Sequence, residues 1–401
     1  MSKSSLALSN LRGVVILVVL AFHSCLAYLV NNPEPGRFDR PPFTWEAFPI
    51  IDAHRWLGFD IFCAWQDVSL MALMFFLSGL LTGPSLERKG ARVYMADRLW
   101  RIGLPFVWAL LVLSPLALYP AYAVRTAEPT TAEFWQQWFS LPFWPNGPQW
   151  FLWQLVVLNA MAAALYVLAP RLLRDCRVFA AWAGRHPVGY FATVTGLAIM
   201  LYAPLAFVFS PWQWVEYGPI ALQLCRPGLY VVVFFAGLAL GSYGLDRGLL
   251  ACDGPLARHW SWWMGAAVVT FAIWAGLTSL TFPHWAAAGL TGKIGASLTY
   301  APACIAGGVM MLALFLRFSR MHSRILDSLS ANAYSMYLVH YVFVVWLQYA
   351  LLPSDLAAPV KAAIVFAGTL VLSWPAAIVL NRLLAGNFAI TTKRPAWMTS
   401  R

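Results

Sequence analysis

The chain has 401 residues, of which 61% are hydrophobic and 11% charged, and its 27 Lys and Arg outnumber 16 Asp and Glu to give a formal net charge of +11. A soluble domain carries about a quarter of its residues as charge, so this composition excludes a water-soluble fold and describes a polytopic membrane protein. No basic stretch is interleaved with exposed aromatics, which excludes a nucleic-acid partner, and the positive excess instead encodes topology.

Apolar segments of about 17 to 25 residues count as membrane spans. About ten occur, at approximately 11–30, 61–83, 102–122, 150–169, 188–209, 218–242, 262–281, 295–316, 332–352 and 359–384. The expected fold is all-α, a single membrane domain over 1–401 with a core of about 8–385 and a tail of about 386–401. A cytoplasmic N-terminus puts 20 of the 27 Lys and Arg on the inner side, a bias that places both termini in the cytoplasm.

The first span carries Arg12-Gly13, Val19 and His23. Eleven residues are about three helical turns, so Arg12 and His23 share one stripe roughly 16 Å apart. Arg12 then sits at one membrane surface and His23 near mid-depth, and ionisable side chains at such positions suggest a site. The span follows Met-Ser-Lys as a secretory signal would, but no small-residue cleavage site accompanies it. The loop at roughly 31–60 holds Pro33, Pro35, Pro41, Pro42 and Pro49 among Trp45 and Trp56. Proline blocks regular hydrogen bonding, so an ordered irregular cap is expected. A second loop, near 123–149, is also rich in proline and aromatics and faces the same side. The two either border an acceptor site or form an interfacial aromatic belt.

Further along come Phe75-Phe76-Leu77-Ser78-Gly79, whose small residues permit close helix contact, and Arg98-Leu99-Trp100-Arg101, whose i, i+3 spacing presents two guanidinium groups on one face. Trp150-Phe151-Leu152-Trp153 opens the fourth span. Late in the chain, Asn332-Ala333-Tyr334-Ser335-Met336-Tyr337-Leu338-Val339-His340 places His340 roughly 12 Å beyond Asn332, inside the membrane. Taken alone, Arg98 and Arg101 serve topology as readily as a substrate, Trp150 is an interfacial aromatic, and His340 is either structural or part of a site. Six cysteines show no metal-ligand spacing and are read as small core residues.

The ordered set R-G-x5-V-x3-H, FF-x-SG, R-x-x-R, W-F-L and Y-x-x-Y-L-x-H resembles the acyltransferase 3 family of integral membrane acyltransferases. Within it, the proline-containing first loop, the LERKGARVYMADRLWRIGLPF stretch and Tyr337-Leu338-Val339-His340 are similar to the group that succinylates periplasmic glucans. The resemblance implies a multi-pass protein of the bacterial inner membrane. Its donor would be cytoplasmic acyl-CoA and its acceptor a hydroxyl of an extracytoplasmic carbohydrate, with acetyl or succinyl transferred and neither metal nor bound cofactor. It further implies catalytic roles for His23, Arg12 and His340, and substrate contacts from Arg98, Arg101 and Trp150.

Those residue types suit that chemistry. Imidazole can take a hydroxyl proton near neutral pH, the developing carbonyl charge can be met by Arg, a second imidazole or a backbone amide, and Arg binds phosphate bidentately. No G-x-S-x-G elbow is present to support a serine acyl-enzyme. Direct transfer assisted by His23 and an acyl-histidine relay both stay open. The competing classes are a transporter or flippase for a saccharide or small solute and a noncatalytic envelope-assembly factor, although no duplication of two halves is visible.

Overall fold

Ser2 caps the first helix by accepting the Ser5 N–H, so α1 (Lys3–Cys25) begins eight residues earlier than apolarity alone predicts. The computed structural model describes residues 2–282 and 284–391, and of residues 173, 174 and 383–391 only the backbone. The chain continues through α2 (Leu57–Lys89), α3 (Ala91–Ala123), α4 (Thr131–Ser140), α5 (Trp150–Leu168), α6 (Pro170–Arg185) and α7 (Pro187–Phe209). A hairpin of β1 (Trp214–Tyr217) and β2 (Ile220–Gln223) follows, then α8 (Pro227–Tyr243), α9 (Trp260–Ser279), α10 (Leu290–Phe318), α11 (Arg324–Leu351) and α12 (Ala358–Thr391). The helix of α12 covers part of the expected tail, and residues 392–401 lie outside the described residues.

Among the described residues, eight helices are long and apolar enough to cross a membrane. They become nine if the pair Pro227–Tyr243 and Gly248–Arg258, bent by 87°, is one span. The expected segment at 332–352 falls on α11, which is long but diluted by Asn332, Ser335, His340 and Gln348, all buried. The expected segment at 218–242 is shortened from its start, because Gly218, at φ 52°, and Pro219 turn the chain into the hairpin and Pro227 opens α8.

Glycines set the closest helix contacts. A Cβ on Gly79 or Gly83 of α2 would collide with the Phe234 carbonyl or the Ser242 hydroxyl of α8, and one on Gly237 or Gly241 would collide with the Phe76 or Leu80 carbonyl of α2. The small residues of the Ser78-Gly79 motif thus let two backbones touch, as in membrane helix pairs generally. Gly13 does the same for α1 against α11, where a Cβ would lie 3.1 Å from the Leu326 carbonyl and 3.3 Å from the Ser330 nitrogen.

Within α3, π-helical turns at Leu99–Gly103 and Ala109–Leu113 each end two residues before a proline, Pro105 and Pro115. Proline offers no N–H to the carbonyl four residues back, and the wider turn shifts the local bonding to i−5, as in Leu104 N–H to the Leu99 carbonyl. Pro120 likewise orphans the Leu116 carbonyl, which accepts the Trp346 indole N–H of α11 at 2.8 Å.

The loops opposite the N-terminus form an ordered cap. Trp45 is fully buried, stacked on Phe38 at 4.3 Å between ring centres, with Tyr122, Phe134 and Phe143 in the same cluster. Arg125, at the end of α3, donates to the Gly36 and Pro49 carbonyls at 2.9 and 2.8 Å and so ties the second loop to the first. Thr130 caps α4 by accepting the Glu133 N–H.

Candidate active site

His23 lies in the last turn of α1, and its carbonyl accepts both the Leu26 backbone N–H and, at 2.9 Å, Gln348 Nε2 of α11. Because α1 starts at Lys3, His23 is the twenty-first of its 23 residues. His340 of α11 is fully buried beside it, with the two rings 4.9 Å apart and His340 Nε2 3.3 Å from His23 Nδ1.

The neighbouring carbonyls assign the protons. His23 Nδ1 is 2.9 Å from the Val19 carbonyl and His340 Nδ1 2.7 Å from the Tyr337 carbonyl. A carbonyl only accepts, so in the neutral rings both Nδ1 atoms carry hydrogen. His340 Nε2 is then a lone pair able to share the His23 Nδ1–H with Val19. His23 Nε2 is left as a second lone pair, with no protein hydrogen bond among the described residues. Such an arrangement can accept a proton or attack a carbonyl.

Arg12 is exposed in the N-terminal half of α1, eleven residues before His23, and its guanidinium donates to Ser330 at 3.3 Å. Arg12 and His23 therefore share a helix without meeting. Arg98 and Arg101 stand at the same end as Arg12, Arg98 just before and Arg101 within the first π turn of α3. Arg98 lies over the Tyr94 ring at 4.8 Å and keeps a buried Nε without a partner, whereas exposed Arg101 pairs with Asp97 at 2.8 Å, as does Lys89 at 2.9 Å. Trp150 belongs to the opposite end, against Trp214 and Tyr230 with centroids 5.6 and 6.1 Å away. The expected residues thus divide into an arginine group, a histidine pair and a cap aromatic.

Four groups complete the surroundings of the pair. Tyr337 donates its hydroxyl to the Pro148 carbonyl, Gln149 Nε2 donates to the Leu338 carbonyl at 3.2 Å, and Tyr341 sets its ring 5.3 Å from that of His23. Glu46 Oε1 accepts the Asn146 and Gly147 N–H groups at 2.9 and 3.2 Å, holding the first loop on the second. Sequence reading quoted Tyr337 only as part of a motif and passed over Glu46, Gln149, Tyr341 and Gln348. The one available signal was position: Gln149 precedes the W-F-L motif, Tyr341 directly follows His340, and Gln348 lies eight residues on at helical spacing.

Among the described residues, no three His, Cys, Asp or Glu side chains gather as metal ligands would. A family model described as an acyltransferase domain matches residues 5–378. No curated protein and no solved structure matches the chain.

Proposed function

The chain belongs to the acyltransferase 3 family of membrane acyltransferases, and from that premise we propose that it transfers an acetyl or succinyl group from cytoplasmic acyl-CoA to a hydroxyl of an extracytoplasmic carbohydrate. The observation that carries this reading is the unbonded Nε2 of His23, beneath the cap and oriented by His340 and the Val19 carbonyl. In this reading the donor's phosphates meet Arg98, Arg101 and Arg12 at the end that carries the N-terminus, which lies in the cytoplasm of a bacterial inner membrane. The thioester reaches toward the histidines, and the acceptor arrives through the cap. A glucan, as in the succinylating group the motifs resemble, is the finer form of the same reading.

His23 Nε2 takes the hydroxyl proton as the oxygen attacks the thioester carbonyl, forming the C–O bond. The carbon–sulfur bond then breaks, and the thiolate leaves as CoA thiol by recovering the proton from His23. His340 holds the His23 ring through its Nδ1–H. A positioned base of this kind accelerates transfer by about 10²–10⁴-fold. The acyl-histidine relay uses the same lone pair and differs in leaving an acylated His23 when acceptor is withheld.

The test is mass spectrometry of envelope glycans from cells with the intact protein, without it, and with His23→Ala at matched membrane abundance. An acyl mass increment seen only with the intact protein is the expected result. Modification that survives in the His23→Ala cells would remove the imidazole from the reaction.

A further inference from the structure

Asn146 and Gln149 stand where the second loop enters α5, and they are 2% and 3% exposed. Each side-chain amide is anchored through its nitrogen, Asn146 Nδ2 donating to the Pro219 carbonyl and Gln149 Nε2 to the Leu338 carbonyl, both at 3.2 Å. Flipping either amide would set oxygen against oxygen, so the orientations are fixed. Both amide oxygens, Asn146 Oδ1 and Gln149 Oε1, are buried without a hydrogen-bond partner. Buried acceptors are almost always bonded, and two unpaired ones sharing a cavity call for a donor from outside the chain.

The cavity between these residues, Ser114, Leu338, Tyr341 and Val342 has a volume of about 10 Å³. Its interior is narrow, with room for a group about the size of one water, and Tyr341 separates it from His23. We propose that Asn146 Oδ1 and Gln149 Oε1 form a hydroxyl subsite that selects a neutral, polyhydroxylated acceptor. This assignment rests on the acyl-transfer reading and gives it a specificity element. A hydroxyl enters and shares its one hydrogen with the amide oxygens, while the sugar ring stays at the mouth. A phosphate or carboxylate brings only lone pairs at neutral pH, and among the described residues no cationic side chain lines the cavity. Amide N–H groups of the acyl-CoA arm are the other neutral donors in the reaction. The cavity lies at the cap end, away from Arg98 and Arg101, which favours the acceptor.

Binding measured on the full chain in lipid nanodiscs decides the matter, using a neutral glucose hexasaccharide, a glucuronate hexasaccharide of equal length and acetyl-CoA as probes. Gln149→Met and Asn146→Leu, each with a melting temperature near that of the natural chain, are each expected to weaken the neutral hexasaccharide about three- to tenfold, the effect of one neutral hydrogen bond. Acetyl-CoA affinity stays unchanged, and the glucuronate chain binds weakly throughout. Equal hexasaccharide affinity in both variants, equal binding of the glucuronate chain, or no hexasaccharide binding by the natural chain overturns the subsite. Weakening of acetyl-CoA alone gives the oxygens to the donor and overturns the acceptor assignment. Acyl transfer that persists in His23→Ala would sink the base role separately, since hexasaccharide binding does not read it.

Discussion

The most consequential titrating group outside the helices is Glu46. Burial, followed by the charge and hydrogen bond of the neighbouring Glu216 carboxyl, raises it well above the ordinary carboxylate value, against the opposing pull of the Asn146 and Gly147 N–H groups. Glu216 is raised as well, chiefly by burial. The folded cap therefore holds protons that the unfolded chain releases near pH 4.5. Its stabilising contribution is full below that pH and is lost as pH rises through the elevated folded value. Glu46→Gln keeps a carbonyl for the two N–H groups and removes the titration. Melting temperature should thus decline less steeply with rising pH in this variant than in the natural chain, and parallel declines would show that the Glu46–Glu216 pair does not titrate over that range.

At the scale of elements, α2 and α8 are bound by backbone proximity rather than by large side chains. Membrane helices associate through such packing because lipid is as apolar as leucine. Gly237→Leu would drive a side chain into the Phe76 carbonyl. Overpacking costs about 1–3 kcal/mol where neighbours can move, and here the obstacle is backbone. A melting temperature lowered in nanodiscs is expected for Gly237→Leu, with little change for leucine at Gly276, which faces open space in α9. Similar melting for both would mean that α2 and α8 separate at little cost. The π turns of α3 belong to the same scale, since prolines displace the backbone at the Arg98–Arg101 motif and again beside Ser114 of the cavity.

Across the described residues, one fully buried ion pair and one half-buried one fasten parts of the chain that are far apart in sequence. Lys361 of α12, 0% exposed, meets Asp52 of the first loop, 2% exposed, at 2.7 Å, and Arg226 before α8 grips Asp67 of α2 at 2.8 Å. Removing one partner strands a buried charge and typically costs about 3–5 kcal/mol, whereas replacing both with apolar residues is often neutral. Lys361→Met should therefore lower thermal stability strongly, and Lys361→Met with Asp52→Leu should recover most of the loss. A double variant as unstable as the single one would show that the pair contributes more than mutual neutralisation.

Apolar length and composition alone determined the helical membrane character and most span positions, because a lipid environment demands long runs whose backbone bonds close internally. Arg12, His23, Arg98, Arg101, Trp150 and His340 were all legible as residues. Their grouping was not, since His23 and His340 are 317 residues apart in sequence and only the contact of α1 with α11 makes them neighbours. Tertiary structure also decided where α1 begins, through a cap at Ser2 that extends it toward the N-terminus. It decided the hairpin, through Gly218 and Pro219, and the buried polar face of α11, whose low apolarity is tolerated because protein covers it. The unpaired oxygens of Asn146 and Gln149 belong wholly to this level, because a residue's spare hydrogen-bonding capacity is set by which partners folding brings within reach.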